Sequence, residues 1–396
     1  MSDNWQYSRR AVAMKSNVIR EILKITKKPG VISFGGGLPA PELFPARGIL
    51  EACKKVLTDR PHEALQYATT EGYPPLREAI AERMNNLGVK CEADEIMITG
   101  GSQQGLDVIG RVFLDPDSVV LTSRPTYLGA IQAFNAYHPH YVTQPSDDEG
   151  FTVFGLEELI ETHGPRLIYL VPTFQNPDGR TIPEERRKII LDLAEQHGIP
   201  VIEDDPYSEL VFEGGIPKHM KAMSPDNVIM LGTFSKLLAP GLRVAWLIAP
   251  KGNAYDRCVR MKQGADLHTN TFAQHVIYEF MREGALDEHL KVIKKTYAHR
   301  RDLMVEMMKK HFPEGVTFTE PTGGLFLWVT LPEKIDTTEL LSKAVENNVA
   351  YIPGSAFYPD GGGKNTMRLN FSKPTEEEIE IGIPKLAKLF QEIIDS

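Results

Sequence analysis

Lys236 stands where an apolar run ends, in VIMLGTFSKLLAPGLRVAWLI over 228–248, so a buried strand gives way to a turn at this residue. Open parallel α/β sheets collect ligands outside the carboxyl ends of their strands, and a lysine held there is partly desolvated. Desolvation lowers an amine's pKa and enlarges the fraction able to attack a carbonyl. Taken alone, Lys236 is equally well explained as a solvated loop residue, as most lysines are.

Four more polar clusters follow apolar runs. After 95–99 comes GGSQQGL, a Gly-Gly turn opening a helix near Ser102. Free N–H groups at that helix start, beside Ser102 and Gln103, suit a phosphate, although a capped helix after a tight turn explains the same letters. After 167–171 comes PTFQNPDGR, where Asn176 serves either a ligand or only the turn. After 200–203 come Asp204, Asp205, Pro206 and Tyr207. Asp204 is still near the sheet and is expected to have a cationic or hydrogen-bonding partner, because an unpaired buried carboxylate is costly; Asp205 is explained by capping. Arg243, seven residues beyond Lys236 across the LAPGLR turn, adds a guanidinium fork suited to phosphate.

Together these residues meet the needs of a phosphorylated aldehyde cofactor. The lysine forms a Schiff base with the aldehyde, and the aspartate pairs with a protonated ring nitrogen so that the ring can accept electrons. Asn176 and Tyr207 can hydrogen-bond the ring oxygen, while Arg243 and the Ser102 helix hold the phosphate.

The elements that must position them are legible as a pattern. Short β-rich runs at 95–99, 118–122, 167–171, 200–203, 228–232 and 244–248 alternate with helical patterns. One helix covers 183–197, opened by Thr181 with Glu184 three residues on and closed by Gly198. This alternation predicts an α/β fold with a mostly parallel, doubly wound sheet. The run at 244–248 follows 228–232 too closely for a helical crossover and is expected to lie antiparallel to its neighbours. Beyond about Asp287 a long charged helical pattern runs through Lys310, followed by strand-like 317–319 and 324–329 and a helix around 338–347, which reads as a smaller α+β domain. The expected division is an N-terminal arm with part of the small domain over 1–45, a large cofactor-binding domain over 46–290, and a C-terminal small domain over 291–396.

Composition narrows the classes. A chain of 396 residues can bury a large core, and 42% apolar with 24% charged residues is the balance of a soluble globular protein rather than a fibrous one. A formal charge of −9 without a basic tract argues against nucleic-acid binding. The first thirty residues carry scattered charges and no central apolar run, so neither a secretory signal nor a membrane span is expected. Cys53, Cys91 and Cys258 are too dispersed for a metal or disulfide framework. A cytoplasmic location and small-molecule partners are the expectation.

The motifs TFSKLLAPGLRVAW, QNPDGR, EDDPYSEL and MRLNFS, in this order and spacing, resemble the class I/II aminotransferases of the fold type I pyridoxal-phosphate enzymes. ISFGGGLPAPELFP, LQYATTEGYPPLREAI, GSQQGLD and KQGADLHT are similar to the 2-aminoadipate/kynurenine aminotransferase-like subgroup, and the resemblance covers nearly the whole chain. It implies pyridoxal 5′-phosphate bound to Lys236, with Asp204 on the pyridine nitrogen and Asn176 and Tyr207 near the ring oxygen. Ser102, Gln103, Ser235 and Arg243 match the phosphate cup, with Thr233 where relatives often carry serine. Tyr127 matches the aromatic that stacks on the ring, and Tyr67 a tyrosine that reaches the phosphate of the other subunit, which implies a homodimer with shared sites. Arg368 matches the clamp on the substrate α-carboxylate. Gly37, Asn17 and Arg20 match the part that closes over the side chain, although Arg20 is equally explained as a surface helix charge.

The implied reaction moves an amino group between an L-amino acid and a 2-oxo acid. Glutamate with 2-oxoglutarate is the expected first pair, and 2-aminoadipate, aromatic or branched-chain amino acids the second. A lyase or decarboxylase on the same cofactor is the alternative, because fold does not fix reaction type. A regulator of the same fold would carry a DNA-binding domain ahead of ISFGGG, for which the short leading arm leaves no room.

Overall fold

The computed structural model describes residues 5–14 and 30–395. Its strands, in chain order, are β1 (Ile32–Ser33), β2 (Ile96–Thr99), β3 (Val119–Arg124), β4 (His140–Asp147), β5 (Gly150–Phe151), β6 (Leu167–Leu170), β7 (Val201–Asp205), β8 (Val228–Thr233), β9 (Ala245–Ile248), β10 (Thr317–Phe318), β11 (Phe326–Thr330), β12 (Val349–Ala350), β13 (Ile352–Pro353) and β14 (Thr366–Asn370). Every residue of β2, β6, β8 and β9 is buried, which is why these stretches read as continuous apolar runs.

The large sheet has the order β2-β9-β8-β7-β6-β3-β4-β5. Strands β8, β7, β6, β3 and β4 are mutually parallel, as the alternation with helices requires. Strand β9 runs antiparallel to both β8 and β2, the outcome expected from the short connection before it. Its amino end therefore lies level with the carboxyl ends of both neighbours, and Ala245 stands opposite Thr99 and Thr233. That register carries Arg243, just ahead of β9, to the turns that follow β2 and β8.

A smaller antiparallel sheet, β10-β11-β14-β13, and a parallel pair, β1-β12, make up the rest. The helix Ala285–His311 packs along Glu376–Ile394. Among the described residues no helix is long and apolar enough to cross a membrane.

Two features depart from the sequence reading. The helix at Glu184–Gln196 is capped by Pro183 without a side-chain bond, so Thr181 and Glu184 form no capping box. Instead Thr181 Oγ1 accepts the Phe174 N–H at 3.0 Å, and Glu184 accepts the Lys218 N–H at 3.1 Å. The reason is that residues 172–182 fold back on themselves: Gln175 N–H donates to Arg180 O and Ile182 N–H to Pro172 O, both at 2.8 Å. Thr181 thus closes the loop that carries Asn176. Strand β4 was not anticipated, since HYVTQPSD is polar and contains a proline; it is held by a six-residue parallel register with β3.

The helix Ser102–Phe113 approaches the sheet closely because Gly105 has no side chain, and a Cβ there would stand 2.8 Å from Leu231 Cδ2. Gly105→Ala is expected to cost about 1–3 kcal/mol in urea unfolding, with Leu231→Val in the same chain recovering part of the loss. An unchanged midpoint for Gly105→Ala would show that this contact does not set the helix position.

Candidate active site

The turn after β2 has a built anion cradle. Gly101 adopts φ +98°, and a Cβ on it would lie 2.1 Å from Arg243 Nη2, so this position needs glycine for both conformation and space. Arg243 donates through Nη2 to Gly100 O at 3.1 Å. Ser102 then opens a twelve-residue helix whose first N–H groups are free to meet an anion. The Ser102 Oγ is buried without a hydrogen-bond partner, and Gln103 is anchored by its Nε2 to Gly129 O at 2.8 Å. Across the sheet, Thr233 Oγ1 accepts the Ser235 N–H at 3.1 Å and starts the short helix Phe234–Leu237.

These groups line a cavity of about 180 Å³ together with Tyr127, Asn176, Asp204, Tyr207 and Lys236. Larger clefts exist, one of about 750 Å³ beside Arg83, but Arg83 is already paired with Glu209 and Asp287. Chemistry rather than size picks out the site.

Lys236 Nζ donates to Gly37 O at 2.8 Å. Burial, reinforced by the positive charges of Arg368 and Arg243, brings its pKa down to about 8 from 10.5. Asp204, at the carboxyl end of β7, is 2% exposed. Its Oδ2 accepts the Tyr169 hydroxyl at 2.8 Å, while its Oδ1 is buried without a partner. Burial lifts this carboxyl to about 7, Tyr169 opposes the rise, and Asp205 adds to it. Burial also pushes Tyr127 up to about 12, and Tyr207 well above its usual range, so both remain hydroxyl donors.

Arg368, on β14, is 2% exposed. It donates through Nη1 to Asn176 Oδ1 at 2.7 Å and through Nη2 to Gly35 O at 2.8 Å, leaving Nε without a partner. The rings of Phe326 and Phe357 lie 4.3 and 5.1 Å from its Cζ. Burial lowers its pKa to about 10; among the described residues Tyr207 and Tyr127 oppose this, and it has no carboxylate partner. Asn176 passes the link on, donating to the Tyr207 hydroxyl at 3.5 Å. A buried guanidinium held by neutral acceptors is a site for an incoming carboxylate.

The family model described as aminotransferase class I and II matches residues 38–386. The chain belongs to this family. Aromatic-amino-acid aminotransferase 1 of Thermococcus litoralis is 46% identical over 393 residues, covering 98% of this chain and 94% of that protein. A 2-aminoadipate transaminase of Thermus thermophilus is 41% identical over 392 residues, covering 98% and 97%. A kynurenine aminotransferase of Pyrococcus horikoshii, crystallised in complex with PMP, superposes with a TM-score of 0.94 at 44% identity, covering 98% of each chain. The protein is thus an aminotransferase of the fold type I architecture.

In this aminotransferase the cavity gathers Ser102, Gln103, Tyr127, Asn176, Asp204, Tyr207, Thr233, Ser235, Lys236 and Arg243. Gly37 and Arg368 stand beside it, and a Cβ on Gly37 would lie 3.7 Å from Arg368 Nη2. Tyr67 does not join its own chain's cavity: it is 79% exposed, with its ring edge-on to His268 at 5.7 Å. Asn17 and Arg20 lie outside the described residues. Sequence reasoning missed Tyr169, because its reach to Asp204 depends on the β6–β7 register, which sets Tyr169 opposite Ile202. The one available signal was a hydroxyl within the apolar LIYLV run.

In the cofactor-free aminotransferase, reductive methylation resolved by mass spectrometry is expected to modify Lys236 with a pH midpoint near 8, against 10.5 for ordinary lysines, because only the neutral amine reacts. Arg368→Gln removes a like charge and should move that midpoint upward. A midpoint near 10.5 in the parent protein would contradict the desolvated amine.

Proposed function

We propose that this aminotransferase binds pyridoxal 5′-phosphate in the cavity below Lys236 and exchanges amino groups between glutamate and a second amino acid. The observation that carries the reading is the meeting of three things in one cavity: a desolvated lysine, an acid with a free oxygen, and an anion cradle. The orphaned polar atoms fit the cofactor. Asp204 Oδ1 lacks the one donor that a protonated ring nitrogen provides, and Ser102 Oγ lacks the acceptor that a phosphate oxygen provides. Ser235, Gln103 and Arg243 complete the phosphate cup, Tyr127 covers the ring, Thr233 shapes the Ser235 turn, and Asn176 and Tyr207 address the ring oxygen.

When bound, pyridoxal phosphate supplies an aldehyde that takes up the amino group and a ring that draws electrons from the substrate's Cα. Lys236 is the residue that would hold that aldehyde through its Nζ. As a neutral amine Lys236 would also be the base that takes up and returns the proton of the substrate's Cα. Asp204 would accept the N–H of the protonated ring nitrogen through Oδ1. Arg368 orients the substrate through its α-carboxylate, and its fork, already aligned by Asn176 and Gly35, allows a bidentate grip. Gly37 keeps the space beside Arg368 clear for the substrate. The second pair is 2-aminoadipate, aromatic or branched-chain substrates, in keeping with the names of the relatives, with Arg20 and Asn17 assigned to side-chain selection.

The working form is a cytoplasmic homodimer in which Tyr67 serves the partner's phosphate. The exposure of Tyr67, beside exposed Leu65 and Leu267, supports this arrangement.

Glutamate alone should release one equivalent of 2-oxoglutarate per loaded subunit and then stop, and a 2-oxo acid should restart turnover. Continuous release of ammonia or carbon dioxide would instead indicate a lyase or decarboxylase. Lys236→Ala is expected to lose roughly three orders of magnitude in turnover, the scale of a missing acid–base group. Arg368→Lys should raise KM for the amino acid by about tenfold, the loss of one charge-assisted bond, with a smaller change in kcat. Retained turnover in Lys236→Ala would remove that residue from the mechanism.

A further inference from the structure

Behind the cavity floor, on the opposite face of β7, ionisable side chains are buried together that the reaction does not touch. Strand alternation turns Glu203 and Asp205 away from Asp204. His219 Nδ1 faces both, 3.5 Å from Glu203 Oε1 and 3.6 Å from Asp205 Oδ2, and its side chain has no solvent exposure. Arg187, also fully buried, spends its hydrogen bonds on Ile182 O, Pro172 O, Lys218 O and Thr173 Oγ1, while its charge reaches Glu203 and Asp205. Lys221 gives Glu203 its backbone N–H, and its ammonium bonds Pro225 O and Val228 O, with Glu203 among the acids that favour its charge.

Behind the strand, Glu203 and Asp205 thus face His219 and Arg187, and Asp205, next to Asp204 in the chain, adds to the rise of the Asp204 carboxyl. Glu203 accepts the N–H groups of Met220 and Lys221 at 3.0 and 2.8 Å. Asp205 accepts the N–H and hydroxyl of Ser208. Asp204 accepts only the Tyr169 hydroxyl. If His219 were neutral, Asp205 would lose the counter-charge 3.6 Å away, its repulsion of Asp204 would grow, and a proton would settle on the acid with the fewest donors. That acid is Asp204, and a protonated Asp204 has no charge to offer a protonated ring nitrogen.

We propose that His219 is a positioning residue for the amino-transfer site: its positive charge offsets Asp205 behind β7 and so favours the anionic form of neighbouring Asp204. The inference rests on the reading that Asp204 meets the cofactor's ring nitrogen. Burial works against the imidazolium, but Asp205 and Glu203 outweigh it and hold His219 at about 9. Asp204, at about 7, is poised where one neighbouring charge decides its form.

The test compares the affinity of the cofactor-free protein at neutral pH for pyridoxal 5′-phosphate and for its analogue with CH in place of the ring nitrogen, by equilibrium dialysis. The parent protein is expected to prefer the natural cofactor by about tenfold, one charge-assisted hydrogen bond. His219→Gln should reduce that preference to within about threefold. The double variant Asp205→Asn/His219→Gln removes one charge of each sign and should restore it. A purely structural role would weaken both ligands alike, so an unchanged ratio in folded His219→Gln overturns the proposal. If that variant does not fold, Asp205→Asn alone decides: it removes an anion and should keep or widen the preference, and a fall overturns the proposal. Asp204→Asn separates the two levels, since an unchanged ratio there would defeat the reading of Asp204 itself.

Discussion

Arg368 buries a guanidinium where the two sheets meet, and the site is arranged around that one group. From β14 it bonds Asn176, on the loop after β6, and Gly35, on the segment after β1, so three separate parts of the chain are fixed by two bonds. Taking a charge out of water costs several kcal/mol unless it is paired. The chain meets the cost with carbonyl and amide oxygens and with the faces of Phe326 and Phe357. A built-in aspartate would have stabilised the arginine more, but it would have occupied the carboxylate position that a substrate needs.

The same choice acts on Lys236. Burial is the main reason its amine is depressed, and the unneutralised charges of Arg368 and Arg243 add to it. A fixed acid beside Arg368 would cancel one of those contributions and drive the lysine back toward an inert ammonium. The electrostatics are therefore divided: cations stand beside the amine, and the acid in the cavity lining is Asp204 at the end of β7. This separation follows from topology. Because β9 alone among the inner strands runs backwards, it delivers Arg243 to the carboxyl ends of β2 and β8, while β7 delivers Asp204 in the parallel direction.

The apolar strands and their order of appearance were legible because burial on both faces writes continuous runs, and the antiparallel β9 was legible because no helix fits in the connection before it. The cavity residues after β2, β6, β7 and β8 could be named for the same reason: each follows the end of a run. Links that depend on register were not legible. Tyr169 reaches Asp204 across neighbouring strands, and Arg368 reaches Asn176 across sheets, with nothing local to either residue that announces its partner. Thr181 shows the opposite failure. Its spacing to Glu184 fits a capping box, but the fold-back of residues 172–182 claims its hydroxyl first.

Three of the buried polar atoms without partners among the described residues surround the cavity. Ser102 Oγ lies at the anion cradle, Asp204 Oδ1 on the floor and Arg368 Nε at the far side. Each such group costs about 1–3 kcal/mol when buried unsatisfied, a cost that a ligand in the cavity would offset by supplying the missing bonds. The cost is tolerated because the scaffold that holds these atoms does not depend on the ligand: β2, β7 and β14 are fixed by their own ladders. The charge balance of the floor is likewise set from behind, by His219 and Arg187 on the face of β7 that substrates do not reach.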